Sequence, residues 1–190
     1  MPAPGAPPPA EPAAPQRPAF VGELDTLVRA RYPLVYLVTS EEQRLEAILA
    51  GLADEHGKTL LGWSIARGFR WLGGAKGTAP EGAKDPIEAL AAVERLSEPS
   101  LVVLKDFHPF LQDPTTVRAL RELAHALKST YTTVILLSPV LVIPPELEKE
   151  LTVLDIPLPT ASELIGLLRE IVTVLREERR AEVDLTRENA

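Results

Sequence analysis

A single acidic residue occupies the position at which nucleotide-hydrolysing proteins hold magnesium. Residues 101–104 (Leu-Val-Val-Leu) form an apolar run, and Lys105 and Asp106 follow it directly. An acid after such a run is the Walker B arrangement, whose carboxylate holds the water shell of Mg²⁺. The next position, which carries a water-activating Glu in hydrolysing enzymes, is Phe107 here. Because a match of one acid is weak, the favoured interpretation is that Asp106 hydrogen-bonds in a loop after a buried strand.

The phosphate-binding loop that should accompany such an acid is missing after the first apolar run. That loop, GxxxxGK[ST], surrounds phosphates with backbone N–H groups and a lysine. Here residues 34–38 lead directly into Thr39-Ser40-Glu41-Glu42-Gln43, with no glycine and no lysine. Carboxylates suit a helix N-terminus, but they would repel a triphosphate. The turn therefore predicts no phosphate site, unless the helix N-terminus at Thr39 and Ser40 supplies an unconventional one.

A second glycine-rich segment resembles a phosphate loop only superficially. Residues 73–78 read Gly-Gly-Ala-Lys-Gly-Thr, so the order is Lys-Gly-Thr rather than Gly-Lys-Thr, and no helix is predicted to begin there. We interpret residues 66–84 as one long, flexible, glycine-rich loop.

The start of that segment interleaves basic and aromatic side chains and is our candidate interaction loop. It contains Arg67, Phe69, Arg70 and Trp71, and residues 66–84 carry four basic residues against one acidic residue. Such a loop could stack on single-stranded nucleic acid or contact an acidic protein surface. The favoured alternative is that Phe69 and Trp71 pack on the domain while the arginines stay solvated.

Covalent and metal chemistry find little support. Gly62–Ala66 is a near miss to the GxSxG nucleophile motif, but Ser64 lies within a predicted strand. His108 has no nucleophile near it in sequence. There is no cysteine, and the three histidines lie far apart, so we predict no catalytic residue and no metal site.

The elements that must position these residues alternate between short apolar runs and longer amphipathic segments. Asp85-Pro86 and Asp113-Pro114 read as helix starts, and Ser40 with Gln43, and Thr160 with Glu163, read as capping boxes. Alternation of this kind predicts an α/β fold in which helices cover both faces of a parallel sheet. We therefore predict a three-layer sandwich with five strands at 34–38, 59–65, 101–104, 133–137 and 153–156.

Composition sets the boundaries of this domain and its surroundings. Eight of the 19 prolines lie in residues 1–19, which predicts a disordered Pro/Ala-rich tail, a domain over 20–175 and a charged tail over 176–190. The net charge of −7 opposes binding to nucleic acid or anionic membranes. The sequence shows neither a membrane-spanning run nor a signal peptide, so we expect a cytoplasmic protein.

Three segments together resemble the AAA ATPases, and more narrowly the degenerate N-terminal half of the Ycf-type AAA ATPases of cyanobacteria and plastids. The segments are ELDTLVRARYPLVYLVTSEE (23–42), LVVLKDFHPFLQDP (101–114) and TVILLSPVLVIPPELEKELTVLDIPLP (133–159). The resemblance covers about residues 23–175. It implies a P-loop NTPase-like sheet of order 5-1-4-3-2, with Ser138 at the position of a polar nucleotide sensor.

The resemblance also implies what this chain departs from. The sequence stops after what would be the first lid helix, over 160–175, whose apolar residues nearly encircle it: Leu164, Ile165, Leu167, Leu168, Ile171, Val172, Val174 and Leu175. A helix that apolar should be covered on more than one side, which predicts a partner or self-association. In addition, Trp71-Leu72-Gly73 follows the pore-loop pattern of AAA unfoldases.

Three functions remain open from the sequence. The favoured one is a non-catalytic AAA-like module that associates with a protein, for instance a catalytic AAA module, and needs no cofactor. The alternative is an ATP-binding or ATP-hydrolysing protein that uses ATP and Mg²⁺, with Thr39, Ser40, Asp106 and Ser138 as nucleotide-binding residues by position. A second alternative is a single-stranded nucleic-acid binder acting through residues 67–71.

Overall fold

A computed structural model describes residues 18–177, apart from several side chains of the last helix. The predicted tails, 1–19 and 176–190, lie almost wholly outside the described residues. The helices are α1 (Ala19–Arg29), α2 (Glu42–Glu55), α3 (Pro86–Glu94), α4 (Pro114–Leu127) and α5 (Ala161–Glu177). The strands are β1 (Leu34–Val38), β2 (Thr59–Ser64), β3 (Gly68–Gly74), β4 (Ser100–Lys105), β5 (Thr133–Ser138) and β6 (Leu151–Asp155).

These elements divide into a body, Ala19–Pro157, and a separate unit that contains α5. In the separate unit, the predicted capping box is present. The backbone N–H of Glu163 donates to Thr160 Oγ1 at 3.3 Å, and the backbone N–H of Thr160 donates to Glu163 Oε2 at 2.7 Å. These bonds satisfy donors at the start of α5 that have no partner within the helix.

The body contains one six-stranded sheet in the order β3-β2-β4-β5-β1-β6. The prediction of a five-stranded, purely parallel sheet of order 5-1-4-3-2 is therefore wrong, because β3 adds an antiparallel strand beside β2. The five predicted strands are β1, β2, β4, β5 and β6, and all their pairings are parallel. These five strands lie in the order β6-β1-β5-β4-β2. The prediction is wrong because it assigns residues 66–84 to a loop, whereas residues 68–74 form β3.

Two buried clusters lie on opposite faces of the sheet, as a three-layer α/β sandwich requires. One face packs against α3 and α4 through residues such as Tyr36 and Leu104. The other packs against α1 and α2 through residues such as Leu37 and Val103. Neighbouring residues of β1 and β4 thus point to opposite faces and both are buried, which explains why these strands read as continuous apolar runs.

Close packing explains the glycines of the segment predicted as a loop. Leu72 is an unpaired bulge residue, since the register with β2 shifts between Leu60 and Leu61, and its side chain lies over Gly62. A Cβ at Gly73 would lie 2.9 Å from Cβ of Ala50 in α2, and Gly74 has a φ of +72° beside the carbonyl oxygen of Lys58. Glycine disfavours strands by itself, so the sequence pattern concealed β3. These glycines allow neighbouring groups to approach closely.

Two of the three helix starts predicted in the body are capped by a side chain. Asp85 accepts hydrogen bonds from the backbone N–H groups of Ile87 and Glu88, and Asp113 accepts one from that of Thr116. The predicted box of Ser40 and Gln43 is wrong. Helix α2 begins at Glu42 without a side-chain cap.

Candidate functional site

The carboxyl ends of β1, β4 and β5 bring three of the four predicted nucleotide-binding residues together. The backbone N–H of Thr39 donates to the carbonyl oxygen of Ser138 at 3.0 Å, and that of Asp106 donates to the carbonyl oxygen of Leu137 at 2.9 Å. Ser40 follows Thr39 and is exposed. We call Thr39, Ser40, Lys105, Asp106 and Ser138, with the first turn of α2, the carboxyl-edge corner.

An ion-pair cluster occupies the corner where α2 begins. Lys105, at the end of β4, places its Nζ 3.1 Å from Oε2 of Glu42 and in contact with Oε1 of Glu46. The Lys105 side chain is only 24% exposed. Burial alone would lower its pKa, but hydrogen bonds and the charges of Glu46 and Glu42 outweigh that effect and raise the pKa. The acidic turn thus has an internal cation as its partner.

Sequence analysis missed this cluster, although a signal existed. Glu42 and Glu46 are four residues apart, so they lie on one face of α2. Lys105 stands one residue before the acid that drew attention to β4. The pairing requires knowledge that α2 and the end of β4 are adjacent, which follows only from the strand order.

Asp106 lies at a sharp turn of the backbone, with Phe107 behind it. Asp106 is exposed and has a φ of +49°, a left-handed conformation that aspartate tolerates better than most residues. The turn directs Phe107 into the core. There its ring centroid lies 5.6 Å from Trp63 and 5.5 Å from Phe110, and its side chain is fully buried. The position of a catalytic glutamate therefore holds the centre of an aromatic cluster.

Ser138 is buried and bonded within the protein. Its Oγ lies 2.8 Å from His108 Nδ1 and 2.9 Å from the carbonyl oxygen of Val140, and it accepts the Val140 N–H at 3.2 Å. A hydroxyl has one proton to donate. If that proton goes to the carbonyl of Val140, His108 must carry its hydrogen on Nδ1 and donate to Ser138. The side chain is 2% exposed, which does not favour a nucleophile.

A further phosphate-loop fragment escaped the sequence analysis. Gly57, Lys58 and Thr59 match the last three letters of the phosphate-loop pattern, but they follow a helix and open a strand, the reverse of the required order. Lys58 is buried, and its Nζ donates to the carbonyl oxygen of Tyr131. Burial, and then the nearby Arg31 charge, lower the pKa of Lys58. This lysine supports the start of β2.

The predicted interaction loop is a turn and an edge strand. Arg67 lies in the turn between β2 and β3, while Phe69, Arg70 and Trp71 belong to β3. Phe69 is buried, but Trp71 is 51% exposed and its Nε1 donates to the carbonyl oxygen of Ala75 at 3.3 Å. Arg67 and Arg70 are exposed. We call the exposed residues of this hairpin, Ile65, Arg67, Arg70 and Trp71, the hairpin surface.

This geometry removes the structural basis of the pore-loop comparison. Trp71, Leu72 and Gly73 lie within β3. Leu72 packs over Gly62, Gly73 lies against α2, and only Trp71 of the three residues is exposed.

The described residues contain neither a metal-binding cluster nor a membrane-spanning helix. Within residues 18–177, no group of three or more acidic or histidine side chains is arranged to hold a metal ion. No helix in that part of the chain has both the length and the apolar character needed to cross a membrane.

Comparison with known proteins identifies the family. A family model described as the SpoVK-like AAA ATPase N-terminal domain matches residues 20–156. The AAA domain-containing protein ycf46 of Guillardia theta is 34% identical over 149 residues, covering 77% of this chain and 29% of that protein. Its counterpart in Trieres chinensis is 33% identical over 159 residues, covering 82% and 31%. The chain thus spans about a third of the length of these relatives.

Among solved structures, a DNA polymerase III gamma subunit-related protein of Thermotoga maritima has a TM-score of 0.47 and 12% identity, covering 83% of this chain and 54% of that one. A likeness of this size carries no argument about function. The family match covers most of the body and agrees with the resemblance to Ycf-type proteins. The chain belongs to the SpoVK-like AAA ATPase N-terminal domain family.

Proposed function

We propose that this domain is a non-catalytic AAA-like module that works by binding a protein partner. The observation that carries the proposal is the pairing of Lys105 with Glu42 and Glu46. A triphosphate at this corner would meet two carboxylates at the start of α2. It would have to draw Lys105 away from both of them, leaving partly buried charges without a partner.

Two further contacts support the same conclusion. Phe107 occupies the position of a water-activating acid and is fully buried, so it offers no group to a nucleotide. Ser138 has its hydroxyl bonded to His108 and Val140, so a sensor role would break bonds that the domain already makes. The 190-residue sequence also contains no GxxxxGK[ST] motif.

Isothermal titration with ATP and Mg²⁺ tests this proposal directly. We expect no saturable heat from the wild type. Micromolar binding that disappears in Asp106→Ala, and persists in Asp54→Ala, would overturn it. Asp54 is a suitable control because it is an exposed aspartate near the far end of α2.

The alternative, an ATP-binding or ATP-hydrolysing domain, is favoured by one observation. Thr39, Asp106 and Ser138 converge at the carboxyl edge, where open α/β sheets bind ligands. Under this alternative Mg²⁺ and ATP would be held by Asp106 and by the backbone around Thr39 and Ser40. Steady-state phosphate release by purified protein would decide it, and turnover no higher than a buffer blank would end it.

Single-stranded nucleic acid is a second alternative, favoured by the exposure of Arg67, Arg70 and Trp71. Stacking on Trp71 with arginine contacts to phosphates is the expected mode. The net charge of −7 opposes it. Phosphate contacts must weaken with salt, so absent or salt-independent binding would remove this alternative.

The partner class that we propose is a catalytic AAA module, in the same polypeptide or in another chain. Self-association is the other outcome, and the described side chains of α5 favour it. Leu164, Ile165, Leu168 and Ile171 are between 39% and 51% exposed, and three of them follow the i, i+4, i+7 spacing of one helix face. A concentration series in sedimentation velocity distinguishes the two, since a strict monomer would count against self-association.

A further inference from the structure

β3 lies at the edge of the sheet, with β2 as its only paired strand among residues 18–177. An edge strand presents unpaired backbone N–H and carbonyl groups, which can accept an extended segment of another protein as an added strand. We propose that an acidic, extended segment of a partner protein pairs with β3 as a seventh strand. This inference rests on the proposed function, because it assigns the surface through which the module associates.

The charge of the segment around β3 indicates which kind of strand would pair with it. Residues 66–84 carry four basic residues and one acidic residue in a chain whose net charge is −7. Arg67 and Arg70 are exposed on the hairpin surface. A second copy would bring its own Arg67 and Arg70 to the same edge, and like charges that face one another across a strand pair are destabilising. The acidic side chains of a partner strand would attract these arginines. The charge pattern therefore favours an acidic partner over self-pairing.

The two faces of β3 specify the side chains of the added strand. Successive residues of a strand point to opposite faces, so Arg70 projects from one face and Trp71 from the other. Phe69, on the face of Trp71, is buried in the core. The Trp71 indole is 51% exposed and provides an apolar surface beside the free edge. The matching strand therefore alternates acidic residues, next to Arg70, with apolar residues, next to Trp71.

The length of the pairing is limited by the bulge. Gly68 to Trp71 pair regularly with β2, whereas Leu72 is left out of the ladder. A bulge bends its strand and increases the local twist, which disfavours continued pairing on the outer edge. Gly68 is buried, and a Cβ added to it would lie 3.5 Å from the carbonyl oxygen of Ala83. The added strand should therefore pair with residues 69–71, and a short peptide is a sufficient probe.

The test uses the full chain and a capped seven-residue peptide of alternating Glu and Val. Two control peptides are alternating Lys and Val, and the Glu/Val peptide with N-methylated amides, which cannot complete the backbone ladder. Backbone amide shifts and hydrogen exchange are followed by NMR. We expect saturable shifts and added protection at residues 69–71 with the Glu/Val peptide, and neither effect with the two controls.

A charge swap makes the test specific. Arg70→Glu should weaken binding of the Glu/Val peptide by roughly tenfold and create binding of the Lys/Val peptide. Arg95→Glu, which reverses an exposed arginine at the end of α3, should change neither. Equal binding of both charged peptides, binding of the N-methylated peptide, or an unchanged affinity in Arg70→Glu would overturn the inference.

Failure of this inference is distinguishable from failure of the proposed function. The same samples are titrated with ATP and Mg²⁺. No peptide binding and no nucleotide binding would remove the β3 pairing alone. Saturable nucleotide binding at the carboxyl-edge corner would remove the proposed non-catalytic role whatever the peptides do.

Discussion

The carboxyl-edge corner and the hairpin surface use their charged residues in opposite ways. In the corner, Lys105 pairs with Glu42 and Glu46, and Ser138 bonds with His108. On the hairpin surface, Arg67, Arg70 and half of the Trp71 side chain face solvent. The corner therefore resembles a site whose polar groups have been satisfied from within, while the hairpin resembles a surface that still requires a partner. We therefore expect a partner to bind at the sheet edge rather than at the strand ends.

The largest expected effect tests whether Phe107, the residue that follows Asp106, belongs to the core. Phe107→Ala should lower the free energy of unfolding by about 3–5 kcal/mol, because it removes a fully buried ring that touches Trp63 and Phe110. Urea denaturation followed by circular dichroism measures it. Asp106→Asn is the matched control and should change stability by no more than about 0.5 kcal/mol, since its side chain is exposed and asparagine also tolerates the left-handed backbone at this position. Similar losses in the two variants would contradict this division of roles.

A second variant tests the packing that places β3 at the edge. Gly74→Ala puts a Cβ against the carbonyl oxygen of Lys58 at a φ of +72°, so both crowding and backbone conformation oppose it. We expect a loss of about 2–4 kcal/mol, the sum of an overpacking cost and a left-handed-conformation cost. Urea denaturation again provides the measurement.

Gly82→Ala separates the two contributions to that loss. Gly82 has a φ of +77° but no atom near its added Cβ, so this variant should lose only about 1–2 kcal/mol. If the two glycine variants lose equal stability, the close approach of β3 to the start of β2 is wrong.

A third variant tests the ion pairs of the corner and carries a pH signature. Glu46→Gln should cost about 1 kcal/mol at neutral pH, because Lys105 and Glu46 are mostly covered but not fully buried. Since the folded-state pKa of Lys105 is raised, its contribution is fully present below the ordinary pKa of 10.5 and is lost as pH rises through the folded value. Stability measured from pH 8 to pH 11 should therefore fall more in the wild type than in Glu46→Gln. Parallel curves would show that Glu46 does not support the lysine.

The smallest effect on stability belongs to the hairpin surface. Trp71→Ala should change the free energy of unfolding by no more than about 1 kcal/mol, because about half of the indole is exposed and its hydrogen bond to Ala75 is long. The same variant should abolish the amide shifts that the Glu/Val peptide causes at residues 69–71. A loss of stability comparable to that of Phe107→Ala, or unchanged peptide shifts, would show that Trp71 serves folding rather than association.

The parallel part of the fold was predictable because strands that are buried on both faces read as continuous apolar runs. Leu34–Val38 and Leu101–Leu104 are apolar on both faces, and the ends of parallel strands meet at one edge. The convergence of Thr39, Asp106 and Ser138 follows from that rule. The aspartates before Pro86 and Pro114 also predicted their helix starts, because the capping bonds are local.

The features that escaped prediction depend on contacts between distant residues. β3 was not predicted because Gly68, Gly73 and Gly74 lower the strand propensity of its sequence. Glycine is needed in this strand because α2 and β2 pack beside it. The pairing of Lys105 with Glu42 and Glu46 spans more than fifty residues. The function of Phe107 as a core residue becomes visible only when Trp63 and Phe110 are placed around it.

We propose that the carboxyl-edge corner does not accept a nucleotide phosphate. Titration of isotopically labelled protein with ATP and Mg²⁺, followed through the backbone amides of Ser40, Glu42, Lys105 and Asp106, tests it at the atoms concerned. We predict no saturable shift of these amides up to millimolar nucleotide. Saturable shifts confined to these amides at micromolar nucleotide, and lost in Asp106→Ala, would contradict it.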